Sequence, residues 1–278
     1  MDWLQALILG VVQGLAEYLP ISSSGHLEIF NKLLGMDLSG ADSLDFDLTL
    51  HVATVLSTIV VLWREFFPLC KSFFTAKNDD NTRYVLKIIL SCVPVAIVGF
   101  CFKDYIEGFF GGNLLVVGVC LIITAFLLSF TYFFRTSPMA SKDYKPRDIT
   151  WLDAFVIGIS QAFAVLPGLS RSGTTIATGI LIGDKKEKVA QFSFFMVIIP
   201  ILGEALLDIK DMLKPAAETV ATQAQTSVGF LPLLIGFIAS FVVGCLACKW
   251  MLDIVKKGKL IWFAVYCVIV GALCILFQ

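Results

Sequence analysis

The chain is short of charge and of histidine. Only 15% of its 278 residues are charged, and His26 and His51 are its two histidines. Catalytic schemes that need a pair of histidines are thereby nearly excluded. Hydrophobic residues make up 58% of the sequence and the mean hydropathy is +0.86. A soluble domain of this size has no interior large enough for that much apolar surface, so the expectation is a polytopic membrane protein. No basic n-region precedes the first apolar stretch, which opens with Asp2 and contains Glu17, so it reads as part of the mature fold. No span carries the continuous polar stripe that an ion channel needs. The eight cysteines lie mostly inside apolar stretches with no pairing pattern, and the Cys245-x-x-Cys248 pair has no nearby histidine. They read as small apolar filler.

What is present is a repeat. Trp3 to Gly35 and Trp151 to Gly183 align without a gap at an offset of 148 residues. Trp3 falls on Trp151, Gly10 on Gly158, Gln13 on Gln161, Ser22 on Ser170, Ser24 on Ser172 and Gly25 on Gly173. Each copy is an apolar stretch broken by proline, then a Ser-rich turn, then a second apolar stretch. Paired interrupted segments at matching places in two halves of a membrane chain point to a binding site at the repeat interface. The copies also differ. Glu17 and His26 face Val165 and Thr174, and Arg171 faces Ser23.

A full span needs ~20 apolar residues. Six stretches qualify: 46–63, 84–102, 113–134, 189–207, 228–248 and 260–277. The repeated segments, 3–34 and 151–182, read instead as re-entrant helical hairpins, because broken backbone at membrane depth is tolerated only inside protein or beside a wet cavity. The expected fold is all-α. A first repeat, 1–135, and a second, 151–278, each hold one hairpin and three spans, joined by a cytoplasmic linker at 136–150. Three spans is an odd number, so the second half enters the membrane upside down, as an inverted-topology repeat. Charge agrees: of 21 basic residues, 16 fall on one side, while Lys32, Lys103, Lys210 and Lys214 fall on the other and Arg171 at the second tip. The richer side is read as cytoplasmic, leaving both termini and the first hairpin's mouth outside.

The segment Glu17-Tyr-Leu-Pro-Ile-Ser-Ser-Ser-Gly-His26 carries the densest chemistry. Pro20 ends the incoming helix, and Ser22, Ser23 and Ser24 sit where the next one starts. Helix N-termini present free amides and partial positive charge to an anion. The second copy repeats this with Ser170 and Ser172 and adds Arg171, whose guanidinium suits bidentate phosphate binding. An ionisable residue inside an apolar segment is a functional candidate by default. Tips that meet would therefore make a phosphate site, with Ser23 and Arg171 across a shared cavity. Gly25 and Gly173 would allow close approach there. In the first span, Asp47 and His51 share a helix face and read as packing residues, with a pore- or site-facing polar role as the alternative. Glu204, late in the fourth span, reads as a helix-end residue, with a supporting partner of the site residues as the alternative.

QGLAEYLPISSSGHL at 13–27 and PGLSRSGTT at 167–175 resemble the two signature motifs of the undecaprenyl-diphosphate phosphatase family, the bacitracin-resistance phosphatases of bacterial inner membranes. The resemblance runs the length of the chain and includes Trp63-Arg-Glu65 and Phe192-Ser-Phe194. It implies an integral-membrane hydrolase that converts undecaprenyl diphosphate to the monophosphate, recycles the lipid carrier for peptidoglycan synthesis and confers bacitracin resistance. It also implies a divalent cation, Mg²⁺ or Ca²⁺, held partly by Glu17. By the same resemblance Glu17, Ser23, His26 and Arg171 are catalytic. The resemblance also implies that Ser170 and Thr175 support the diphosphate; Gln13, Ser22, Ser24, Gly25, Ser172 and Gly173 complete the expected substrate-binding set. Gln13 stands where the family pattern often has an acid, which weakens any claim that two carboxylates share the metal. The nucleophile stays open between Ser23, with His26 or Glu17 taking its proton, and His26 or a water. Expected partners are the bilayer and a long-chain prenyl diphosphate lipid, with a second copy of the chain as a candidate in a homodimer and no nucleic acid. The expected location is the bacterial inner membrane, with the site opening to the periplasm. The competing reading is a lipid-phosphate flippase or secondary transporter. Glu17 and His26 occur in one repeat only, which favours chemistry over a site usable from both faces.

Overall fold

In a computed structural model of the chain, residues 1–36, 41–75, 78–102, 105–106, 108–109, 113–136, 145–212 and 228–277 are described. The helices of the first half are α1 (Trp3–Ala16), α2 (Ser23–Leu33), α3 (Ala41–Val61), α4 (Trp63–Phe74), α5 (Asp80–Cys101) and α6 (Leu114–Thr131), which ends in a π-helical turn over Tyr132–Thr136. Those of the second half are α7 (Trp151–Phe163), α8 (Arg171–Ile182), α9 (Lys186–Met196), α10 (Ile198–Met212), α11 (Phe230–Lys256) and α12 (Ile261–Leu276). The protein is all-helical, and α5, α6 with its π turn, and α11 are each long and apolar enough to cross a membrane. Lys77, Lys103, Lys142, Lys214 and most of the 136–150 linker lie outside the described residues, as do the side chains of Glu204 and Lys210.

Two expected spans are not single helices. The stretch 46–63 stops at Val61, and the chain turns by 93° at Leu62 into α4. That second helix is amphipathic, with Arg64, Glu65 and Lys71 among exposed Trp63, Phe67 and Phe74. Polar residues interleaved with aromatics hid its helical period behind the end of the apolar run. The stretch 189–207 breaks at Val197 between α9 and α10. Pro200 explains the break: it has no amide to offer the carbonyl four residues back, on Met196. That carbonyl accepts from Cys92 Sγ at 3.3 Å instead.

The 148-residue offset reappears in local structure. Asp2 caps α1 in a reciprocal capping box with Gln5, and Thr150 caps α7 in one with Asp153. Ser22 Oγ accepts from the Gly25 amide at 3.3 Å, and Ser170 Oγ from the Gly173 amide at 3.0 Å. The packing partners are exchanged between halves. Helix α1 packs on α11, whereas α7 packs on α5. A Cβ on Gly10 would lie 2.5 Å from the Gly236 carbonyl and 2.9 Å from Ala239 Cβ; one on Gly158 would collide with the Ser91 backbone. Ser91 and Ala239 are themselves 148 apart. Small residues at these crossings let backbones approach where lipid gives no hydrophobic drive. Helices α6 and α12 pack on each other, with Gly118 against the Gly271 carbonyl.

Ahead of α7 the chain lies along the end of α8. Arg147 N donates to Gly183 O at 3.1 Å, and Lys185 N to Arg147 O at 2.9 Å. Arg147 Nη2 reaches Asp153 Oδ1 at 2.7 Å, while its Nε stands 4.0 Å from the buried Asp184. Burial, and then the neighbouring Asp153, push the Asp184 carboxyl up to about 7. Its proton is therefore held in the folded state where the unfolded chain, with its ordinary carboxylate, has lost it. The stabilisation is full below the ordinary carboxylate pKa and drains away as pH rises through about 7, by at most roughly 1.4 kcal/mol per pH unit. Asp184→Asn should flatten the fall in thermal midpoint between pH 4 and 7 in detergent. An unchanged slope in that variant would show that another group carries it.

Candidate active site

Glu17 lies one residue beyond the last turn of α1, with a side chain only 8% exposed. Such a carboxylate needs donors, and it has several. Its Oε2 accepts from Ser23 Oγ at 2.8 Å and from Gln13 Nε2 at 3.0 Å. His51 Nε2 stands 3.6 Å from the same oxygen, and Arg171 Nη1 stands 3.9 Å from Oε1. Ser23 and Arg171, the repeat partners, thus reach one carboxylate from opposite tips.

The tips touch through small residues. A Cβ on Gly25 would come 2.8 Å from Gly168 Cα, and one on Gly173 would come 3.1 Å from Pro20 Cβ. Gly168 is the offset partner of Pro20 and adopts φ +89°, a conformation glycine takes freely. Ser172 Oγ donates across the contact to Leu19 O at 3.2 Å, and Ser170 N to Thr124 Oγ1 at 3.1 Å. Gly25 and Gly173 are therefore contact residues between the tips. Between them lies a narrow cleft, lined by Ser22, Ser23 and Ser24 from one side and Ser170, Arg171 and Ser172 from the other. The first amides of α2 and α8 lack intrahelical acceptors, so the cleft adds N–H donors to hydroxyls and a guanidinium.

Not every expected residue has a free group to offer that cleft. Thr175 is fully buried, bonded to Arg171 O at 2.9 Å and Ser193 Oγ at 2.6 Å, and it braces α8 against α9. Ser22 and Ser170 are committed to capping, with Ser24 and Ser172 each 3.4 Å from its cap. His26 points away from Ser23: its Nδ1 donates to Ser22 O at 2.8 Å and its Nε2 meets Tyr266 Oη at 2.7 Å. His51, expected to pack, is instead at Glu17. The structure turns its ring there by an Nδ1–H bond of 2.7 Å to the Asp47 carbonyl. The signal was its place four residues after Asp47 on one helix face, which a packing reading discounted. Tyr266 and Tyr18 were missed altogether. The Tyr18 hydroxyl fastens the first tip to α3 through Thr54 O at 2.7 Å, Thr58 Oγ1 at 2.8 Å and Ser57. The hydroxyls at 54, 57 and 58 share one face of an apolar helix and carried that information.

Among the described residues no three His, Cys, Asp or Glu side chains gather as a ligand set. Glu17 is the one carboxylate lining the cleft. Gln13 Oε1, beside it, is buried without a hydrogen-bond partner. Two hard oxygens fit a Mg²⁺ or Ca²⁺ that takes its remaining ligands from water and a diphosphate, the usual manner for Mg²⁺. They do not form an all-protein cage.

The fold and the helices long enough to cross a membrane define an all-helical, multi-pass membrane protein, with a cleft of hydroxyls and one guanidinium between the starts of α2 and α8. A family model, Bacitracin resistance protein BacA, matches residues 6–273, and the chain belongs to that family. It is 54% identical to an undecaprenyl-diphosphatase of Bacteroides thetaiotaomicron, over 100% of both chains. It is 54% identical to one of Bacteroides fragilis, over 99% of this chain and 98% of the relative. The identity to undecaprenyl-diphosphatase 2 of Bacillus thuringiensis is 35%, over 99% and 97%.

The tip contact gives a direct test. Gly25→Ala puts a methyl into the Gly168 backbone, which has no flexible end to yield. Overpacking of this kind costs about 1–3 kcal/mol. The variant should lose thermal stability and ligand-site geometry together, read as a lowered midpoint and lowered turnover. Wild-type values for both would place the two tips further apart than described.

Proposed function

We propose that this chain is an undecaprenyl-diphosphatase, hydrolysing undecaprenyl diphosphate to undecaprenyl phosphate and inorganic phosphate. The carrying observation is the Ser23 hydroxyl on Glu17 Oε2 at 2.8 Å, with Arg171 on the other oxygen. A hydroxyl hydrogen-bonded to a carboxylate is a nucleophile with its base in place. Ser23 Oγ attacks the terminal phosphorus while its proton passes to Glu17. The bond from that phosphorus to the bridging oxygen breaks, and undecaprenyl phosphate departs. Glu17 passes that proton to the oxygen freed on the product and is a carboxylate again. It then takes a proton from water as the water attacks the phosphoserine; the Ser23 Oγ–P bond breaks, Glu17 returns the proton to Oγ, and phosphate is released. Arg171 and the amides at the starts of α2 and α8 hold the equatorial oxygens, where charge gathers in the transition state. A divalent cation bound by Glu17 and Gln13 would neutralise part of the diphosphate charge. His26 has both ring nitrogens engaged, which favours Ser23 as nucleophile and Glu17 as base.

The same reading extends to architecture and place. We take the halves to be inverted-topology repeats, 1–135 and 151–278, with α1–α2 and α7–α8 as re-entrant hairpins meeting near the midplane. The exchanged packing of α1 on α11 and α7 on α5 supports this, as do the doubled caps and the reciprocal glycine contacts. The basic bias orients the termini and the first hairpin's mouth to the periplasm of a bacterial inner membrane. There the product would re-enter the lipid-carrier cycle of peptidoglycan synthesis, and removing the diphosphate would confer bacitracin resistance.

Phosphate release from a long-chain prenyl diphosphate by purified protein tests the function. Ser23→Ala should lose about a thousand-fold or more in turnover. Arg171→Lys, which keeps charge but not the fork, should lose roughly a hundred-fold. EDTA should suppress release, and added Mg²⁺ or Ca²⁺ restore it. Substantial turnover in Ser23→Ala would pass the nucleophile to His26 or water. For orientation, a cysteine at Thr82 should resist a membrane-impermeant thiol reagent in intact cells; its ready labelling would invert the topology.

A further inference from the structure

Ser22 is the one non-glycine residue with positive φ among the described residues, at φ 71° and ψ 105°. Such a backbone is strained at a residue with a Cβ and persists only where its surroundings hold it. Here the hold is visible. The Ser22 carbonyl accepts from His26 N at 3.2 Å and from His26 Nδ1 at 2.8 Å. A carbonyl only accepts, so Nδ1 carries the hydrogen. The His26 residue is 4% exposed and both its ring partners are uncharged, so the ring is the neutral imidazole with its lone pair on Nε2. The donor to that lone pair is the Tyr266 hydroxyl at 2.7 Å, and the tyrosine ring stacks on the imidazole at 5.6 Å and 16°. Tyr266 belongs to α12, in the other half of the chain, and Cys267 beside it donates to Pro20 O at 3.6 Å.

We infer that Tyr266 is a positioning residue: through His26 it holds the strained Ser22 turn that presents Ser23 to Glu17. Its hydroxyl fixes the tautomer of His26. The fixed Nδ1–H fixes the Ser22 carbonyl, and the direction of that peptide sets where α2 begins and where Ser23 Oγ points. Helix α12 thereby takes part in the site without touching the phosphate. The inference rests on the reading of Ser23 and Glu17 given under Proposed function.

Tyr266→Phe removes the hydroxyl and keeps the stacked ring. In the purified full-length protein, acting on a long-chain prenyl diphosphate, kcat should fall roughly ten- to a hundred-fold with KM little changed, the usual scale for losing a group that orients a reacting one. The ring offers a second readout, because the chain has only two histidines. In a His51→Gln background, the single ¹⁵N-labelled histidine should show an Nδ1–H tautomer with a hydrogen-bonded Nε2. Adding Tyr266→Phe should move the Nε2 signal toward that of an unbonded imidazole nitrogen. Wild-type kcat in Tyr266→Phe would overturn the inference, and so would an Nε2–H tautomer in the protein that retains Tyr266. The second result decides the matter even if Tyr266→Phe does not fold. Absence of phosphate release by the wild-type protein would sink the proposed function instead, while the tautomer measurement would still be read.

Discussion

A buried carboxylate must be met by polar neighbours, and Glu17 draws them from four helices. Gln13 comes from the same helix one turn earlier, Ser23 from the start of the next, His51 from α3, and Arg171 from the second half. The pair matters more for where it puts things than for its strength, since a buried ion pair is weak evidence of stability. Removing either partner would leave the other exposed to a low dielectric, so each half of the chain is needed to make the other's polar tip tolerable. The contact between halves and the chemistry are one arrangement.

Close approach of the tips is a steric matter settled by glycine. Gly25 against Gly168, and Gly173 against Pro20, leave no room for a Cβ, so two helix starts reach the same cleft. The same device recurs along the walls, at Gly10 on α11 and Gly158 on α5. Proline works beside it. Pro20 lies in the break between α1 and α2, and Pro200 in α10 frees the Met196 carbonyl at the end of α9, which Cys92 takes up. Breaks that would be costly in lipid are thereby lodged where other helices satisfy them.

The sequence revealed the repeat, the Ser-rich turns and the intramembrane Arg171, because each is a local departure from an apolar background. From those it follows which residues converge: Ser23, Arg171 and Glu17 are together in the structure. What was not legible depends on three-dimensional aim. Whether His26 faces Ser23 or turns to Ser22 and Tyr266 is a matter of one side-chain torsion and a partner 240 residues away. His51 looked like packing because its partner Glu17 lies on another helix. The 93° turn at Leu62 has no proline or glycine to announce it, only the amphipathic pattern of α4.

The account stands on Ser23 as the attacking atom with Glu17 as its base. A single-turnover reaction with substrate labelled at the terminal phosphorus, quenched in acid and in alkali and mapped by peptide, addresses it directly. Acid-stable label on the peptide that holds Ser23, appearing before free phosphate, is the expected result. Free phosphate formed with no label on the protein at any time, or alkali-stable label on His26, would contradict it.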